Sequence, residues 1–189
     1  IYKHKTRMNK FLLCIVFLLA ALIAKGQEIP DASLVRKSDG QTVLLSECLA
    51  CTGVVIIFTS PDCPFDGYYA ERLQLLRDRY AGQVSFYFIN PGESTDTNPA
   101  SSFSLLPFYA DGQQQLLRIL DPHKTPEAFL LKKQNTKLTL VYRGAIDDNP
   151  QMASAVTQPW LQSAIDNLRD GKTPAQAEVR ASGCTIRKK

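Results

Sequence analysis

Apolar residues along the chain follow two spacings, that of buried strands and that of amphipathic helices. Residues 54–59 (VVIIFT) and 84–89 (VSFYFI) are short runs rich in β-branched and aromatic residues, as expected of strands buried on both faces of a sheet. Between them, apolar residues recur every three to four positions and predict a helix: Phe65, Tyr69, Leu73, Leu76 and Tyr80. Strand, helix and strand in this order predict a right-handed parallel crossover.

Weaker patterns extend this unit on both sides. Turn residues and apolar runs predict a hairpin over 34–45, a loop over 90–102, a short strand or helix end over 105–110, a helix over 113–120, an antiparallel hairpin with strands 128–131 and 138–142, and a closing helix over 160–168. A chain of 189 residues supports one domain with a proper core. The fold class we predict is α/β, a single domain whose mixed β-sheet carries helices on both faces.

The first 26 residues have the pattern of a leader and secretory signal peptide. Met8, the expected start, precedes a charged stretch, an apolar run over 11–23 and small residues at Ala24 and Gly26. We expect cleavage after Gly26, a domain spanning 27–189, and a periplasmic or secreted protein with no membrane contact once the signal is removed. The alternative is a signal retained as an anchor, which the shortness of the apolar run disfavours.

Removing this segment changes the charge balance. The whole chain has 22 basic and 18 acidic residues, and five of the basic ones precede residue 27 whereas no acidic one does. The mature chain would have 17 basic and 18 acidic residues, so we expect no nucleic-acid partner.

Cys63 is the residue best suited to catalysis, and it lies between the first buried strand and the helix. Unpaired amides and the dipole of a first helical turn stabilise a thiolate, the reactive form of cysteine. The alternative is a buried, inert cysteine. Asp66, three residues later, complements the helix dipole, but its negative charge would oppose ionisation of the thiol.

Several short motifs, taken in order, resemble the thioredoxin-like fold, and more narrowly the redoxins related to alkyl hydroperoxide reductases and thiol-specific antioxidant proteins. They are FTSPDCPF at 58–65, TPEAFLL at 125–131, YRGAIDDN at 142–149 and GCTIRKK at 183–189. This resemblance implies that Cys63 is the nucleophile and that Pro126 is a cis-proline facing it. The backbone of Thr125 would bind substrate, with Pro64 and Phe65 completing the substrate-binding set.

The chain departs from the patterns of both relatives. The second cysteine of a thioredoxin Cys-x-x-Cys motif is replaced by Asp66, which excludes simple dithiol exchange within that motif. The threonine and proline that peroxiredoxins place three and seven residues before the cysteine are Ser60 and Ile56 here. The activating arginine of the peroxidases is also missing from its usual place, where this chain has Lys124. Peroxidase activity is therefore less well supported than disulfide chemistry.

Four cysteines follow the leader, and the sequence alone leaves all three complete pairings open. By the family resemblance, Cys184 in the tail is the resolving partner of Cys63; the alternative is a tail cysteine without a role. Cys48 and Cys51 precede the first buried strand, so they should lie roughly 20 Å from Cys63, at the other end of the sheet. We predict that they form a structural disulfide rather than a second redox centre, and we expect neither metal nor cofactor.

These expectations combine into one functional hypothesis. The chain is predicted to be an exported thiol-dependent oxidoreductase in which Cys63 attacks a disulfide or a peroxide, with a thiol or disulfide redox protein or a peroxide as its partner. The alternative is a non-catalytic thioredoxin-like binding module in which Cys63 is vestigial or binds a ligand.

Overall fold

The computed structural model describes residues 26–92 and 106–187, so nearly all of the predicted leader and most of the predicted loop 90–102 lie outside the described residues. Strands are β1 (Glu28–Ile29), β2 (Ser33–Arg36), β3 (Thr42–Leu44), β4 (Gly53–Phe58), β5 (Val84–Ile89), β6 (Phe108–Ala110), β7 (Lys124–Thr125), β8 (Glu127–Gln134), β9 (Lys137–Gly144), β10 (Glu178–Val179) and β11 (Cys184–Thr185). Helices are α1 (Pro64–Arg79), α2 (Gln115–Leu120) and α3 (Trp160–Arg169), with a 3₁₀ turn over Ala153–Ala155.

A mixed sheet forms the centre of the fold. Its strand order is β1-β9-β8-β4-β5-β6-β2-β3, and β10 adds to β9 in parallel. β4 pairs in parallel with β5 and antiparallel with β8, so it is flanked on both sides along its whole length. The second, two-stranded sheet consists of β7 and β11.

The sheet separates two apolar cores. Because side chains alternate across a strand, Val55 and Ile57 of β4 enter one core while Val54, Ile56 and Phe58 enter the other. The first core contains the apolar faces of α1 and α3, and the second contains that of α2. Helices therefore cover both faces of the sheet, as predicted.

The predicted elements are present, with shifted ends. The helix predicted from the 65–80 periodicity is α1, which begins at Pro64, a residue that suits a first turn because it has no amide hydrogen. The two strands predicted over 128–131 and 138–142 extend to eight residues each as β8 and β9. The segment left open as strand or helix end over 105–110 contains the strand β6. Among the described residues, no helix is long and apolar enough to cross a bilayer.

Helix α1 is held against the connection between β9 and α3 by a largely buried ion pair. Arg72 Nη1 lies 2.6 Å from Asp147 Oδ2, and the Tyr69 hydroxyl donates to Asp147 Oδ1 at 2.8 Å. Arg72 also donates to the backbone oxygens of Asn149 and Pro150. These contacts fix the orientation of the helix whose N-cap residue is Cys63.

Candidate redox site at the start of helix α1

Cys63 occupies the N-cap position of α1, just beyond the carboxyl end of β4. Its amide donates to Ser60 O at 3.0 Å, and its carbonyl accepts from the amide of Asp66 at 3.0 Å. No side-chain hydrogen bond caps the helix, so the positive end of the α1 dipole lies at Cys63. The Cys63 side chain is only 3% exposed and its Sγ contacts Thr125 O at 3.3 Å.

The C-terminal tail brings Cys184 to this position. Cys63 and Cys184 are joined by a disulfide across 121 residues of sequence, with their Cα atoms 5.9 Å apart. The tail strand β11 pairs antiparallel with β7, placing Cys184 opposite Thr125. Ile186 N donates to His123 O at 3.1 Å, so the strand pairing continues beyond the disulfide. The pairing that the resemblance favours is thus the one present, and Cys184, half-buried, is the more exposed of the two cysteine residues.

The residues predicted to bind substrate gather around the same disulfide. The Thr125–Pro126 peptide bond is cis, as the resemblance implies, and both residues are buried beneath the tail strand. Pro64 is exposed and Phe65 is half-buried, and the Phe65 ring meets that of Tyr68 edge to face at 6.4 Å between centroids. Tyr68, 52% exposed, extends the aromatic surface beside Phe65.

Asp66 requires a correction. The sequence suggested an acid that complements the helix dipole, but its side chain is fully buried. Burial raises the pKa of Asp66 from its ordinary 3.8 to about 7, and hydrogen bonds from the hydroxyls of Thr59 and Thr125 and from nearby backbone groups only partly offset this rise. Thr59 Oγ1 donates a short hydrogen bond to Oδ1, whereas Oδ2 makes no hydrogen bond of normal geometry with the described part of the chain. The acid next to Cys63 is therefore neutral over much of the acidic pH range.

Cys48 and Cys51 form their own disulfide, with Cα atoms 5.3 Å apart. They precede β4, whose six residues separate them from Cys63, so the two disulfides lie at opposite ends of that strand. The Ser85 hydroxyl donates to Cys51 Sγ at 3.4 Å and Lys133 Nζ donates to Cys48 O at 3.0 Å. The structure thus pairs these cysteines with each other and keeps them away from the Cys63 site, as the spacing predicted.

Comparisons with known proteins support the fold. No family model matches the sequence. No curated protein matches it either. Among solved structures, an uncharacterized conserved protein from Geobacillus kaustophilus is 27% identical, with a TM-score of 0.73, covering 89% of this chain and 94% of its own.

Two further solved structures share this fold. A hypothetical protein from Sinorhizobium meliloti 1021 is 27% identical, with a TM-score of 0.71, covering 87% of this chain and 94% of its own. The exposed lipoprotein thioredoxin Etrx1 from Streptococcus pneumoniae strain TIGR4 is 17% identical, with a TM-score of 0.50, covering 64% of this chain and 92% of its own, a likeness of fold alone. With helices on both faces of its mixed sheet and a cysteine at a helix start facing a cis-proline, this chain has a thioredoxin-like fold.

Proposed function

We propose that this protein is a thiol–disulfide oxidoreductase with Cys63 as nucleophile and Cys184 as resolving thiol. The observation that carries the proposal is the placement of the Cys63–Cys184 disulfide at a helix N-terminus against Thr125. A thiolate at Cys63 is stabilised by the positive end of the α1 dipole, which makes it both a good nucleophile and a good leaving group.

The reaction proceeds in two exchanges. The Cys63 thiolate attacks one sulfur of a substrate disulfide, forms a mixed disulfide and releases the other sulfur as a thiolate. Cys184, having lost its proton to solvent, then attacks Cys63 Sγ and releases the second substrate thiolate. The substrate disulfide is reduced by two electrons and the protein is left with the Cys63–Cys184 disulfide.

Regeneration begins from the more accessible sulfur. Because Cys63 is 3% exposed and Cys184 is half-buried, an incoming thiolate of a reductant meets Cys184 first. Its attack on Cys184 Sγ expels Cys63 as the thiolate that the helix start stabilises. A second thiolate of the reductant then attacks the first reductant sulfur, so that Cys184 leaves as a thiolate and the reductant is oxidised to a disulfide. The tail strand, whose pairing with β7 is only two residues long, then has to move before a substrate reaches Cys63.

An alkyl hydroperoxide is the second substrate class that this chemistry accommodates. The Cys63 thiolate would take the terminal oxygen, releasing an alkoxide and forming a sulfenic acid, which Cys184 would condense to the same disulfide with loss of water. The Ser60 hydroxyl could take the place of the peroxidase threonine, but Ile56 and Lys124 stand where peroxidases have proline and arginine, which places this activity second. Since disulfides persist outside the cytoplasm, we also propose that the protein acts there, as the predicted leader suggests.

The proposal can be tested by trapping the covalent intermediate on Cys63. The Cys184→Ser variant, incubated with oxidised glutathione or with tert-butyl hydroperoxide, should accumulate a mixed disulfide or a sulfenate on Cys63, detected by mass spectrometry of peptides. The wild-type protein should instead return to the Cys63–Cys184 disulfide. The Cys48→Ser/Cys51→Ser double variant is the matched control, and it should react as the wild type does.

The competing hypothesis, a binding module with an inert Cys63, predicts a different result. In that case Cys63 of the Cys184→Ser variant would remain an unmodified thiol with both reagents. That outcome would exclude the oxidoreductase.

A further inference from the structure

The residue at the fourth position of the Cys63 motif is a fully buried carboxylic acid. Asp66 stands where a Cys-x-x-Cys motif has its second sulfur, one helical turn from Cys63. The hydroxyl of Thr59, at the end of β4, donates to Oδ1. Thr125 lies close to both groups: its side chain acts to lower the pKa of Asp66, and its carbonyl oxygen lies 3.3 Å from Cys63 Sγ.

This carboxyl lacks the partner that a buried structural acid normally has. Buried charges in proteins are usually paired with an opposite charge. The largely buried arginine nearest along the helix, Arg72, is engaged with Asp147, and Arg143 is engaged with Glu127. Oδ2 also makes no hydrogen bond of normal geometry with the described residues. These surroundings therefore do not hold Asp66 permanently in its charged form, as an ion pair would.

We infer that Asp66 is a positioning residue that shares one exchangeable proton with Cys63, so that the buried site carries a single negative charge either on the carboxylate or on the sulfur. This inference rests on the proposed function. Two like charges one helical turn apart in a buried site oppose each other, so ionisation of one group disfavours ionisation of the other. Thiolate at Cys63 therefore forms most readily when the proton resides on Asp66.

The proton is accounted for at each step. The reduced protein has two forms, in which the shared proton is either on the Cys63 sulfur, with Asp66 a carboxylate, or on Asp66, with Cys63 a thiolate. The thiolate then attacks a substrate disulfide. When a reductant thiolate later opens the Cys63–Cys184 disulfide, the expelled Cys63 thiolate regains its proton from Asp66.

Other ionisable groups on the surrounding elements are either exposed or already paired. Asp62 precedes Cys63 and is exposed, while the tail contributes Cys184 itself. Two buried clusters on α1, β8, β9 and the β9–α3 connection are paired internally: Tyr69 and Arg72 with Asp147, and Arg143 with Glu127. The Tyr142 hydroxyl donates to Ala145 O, and on β7 Lys124 Nζ donates to Thr185 Oγ1 of the tail.

Alkylation of Cys63 by iodoacetamide across pH 5–10 tests the inference. The parent is the Cys184→Ser variant, in which the Cys48–Cys51 disulfide remains closed and Cys63 is the free thiol. Adding Asp66→Asn removes the opposing charge without changing the size of the side chain. We expect the midpoint of the rate profile to fall by about 1–2 pH units, and the rate well below that midpoint to rise about 3- to 10-fold after allowing for the weaker nucleophilicity of a more acidic thiol.

The matched control is Asp62→Asn, which removes an equal charge beside Cys63 from a solvent-exposed position. Its midpoint should stay within about 0.3 units of the parent, because water and salt screen that charge. If the parent and the Asp66→Asn variant have the same rate profile and Cys63 reacts in both, Asp66 does not share a proton with Cys63. The proposed function would stand in that case. If Cys63 resists alkylation at every pH in all variants, the proposed function fails and this inference fails with it.

A second measurement covers the case in which the Asp66→Asn variant does not fold. In the wild-type protein labelled with ¹³C at aspartate carboxyls, the Asp66 signal should titrate in one step when Cys63 is in the disulfide. It should titrate in two steps, coupled to the thiol, after reduction. An identical titration curve in both redox states contradicts proton sharing.

Discussion

Because Asp66 is buried, the stability of the folded protein should depend on pH in a definite direction. The pKa of this carboxyl is about 7 in the folded protein and 3.8 in its ordinary state, so between these values the folded protein holds a proton that the unfolded chain has lost. The free energy of unfolding should therefore fall as pH rises through this window. A difference of about 3 units corresponds to about 4 kcal/mol, complete by about pH 8.

Comparing the wild type with the Asp66→Asn variant isolates this contribution, since the amide stays neutral and Thr59 can still donate to its oxygen. Both proteins, in the disulfide form, would be unfolded in urea at pH 4 to 8 and followed by circular dichroism. The stability of the variant relative to the wild type should increase by about 4 kcal/mol from pH 4 to pH 8. Other titrating groups contribute equally to both proteins and cancel in the difference.

Two results would refute this reasoning. A difference that stays constant within about 1 kcal/mol over this pH range would mean that Asp66 titrates at its ordinary value in the folded protein. A difference of opposite sign would mean that its pKa is lowered by a favourable partner. Replacing the exposed Asp62 by Asn serves as the control, because it removes an acid of the same type that is not buried.

Three further predictions concern the tail and the helix that carry the site. In Gly183→Ala, an added Cβ would stand 2.1 Å from Thr125 O, so the tail strand should pair less well with β7. Reoxidation to the Cys63–Cys184 disulfide, measured by titrating free thiols over time, should slow at least several-fold. Cys184→Ser removes a link across 121 residues and should cost about 3–5 kcal/mol of unfolding free energy in urea, and a loss below about 1 kcal/mol would contradict the loop-closure argument. Arg72→Met leaves Asp147 buried without its cation and should cost about 3–4 kcal/mol, while the Arg72→Met/Asp147→Asn double variant should recover part of this loss.

The local elements of this fold were predictable from residue spacing. The apolar run of β4, the periodicity of α1 and the proline after Cys63 each act over a few residues, so the strand, the helix and the cysteine at their junction could be placed without a structure. Their neighbours in the sheet could not be placed in the same way. The pairing of β1 with β9 and of β2 with β6 joins segments more than 70 residues apart, and no local pattern encodes such a contact.

The residues of the candidate site show the same difference between local and long-range information. The sequence determined that Cys63 begins a helix, that Cys48 and Cys51 lie at the far end of the strand before it, and, through its motifs, that Thr125–Pro126 faces the thiol. Only the tertiary structure decided that the tail strand pairs with β7 and that the acid after Cys63 is buried rather than solvated. The environment of Asp66 is set by β4, β7 and the tail together, and the ionisation of a carboxyl depends on what surrounds it in space rather than on its neighbours along the chain.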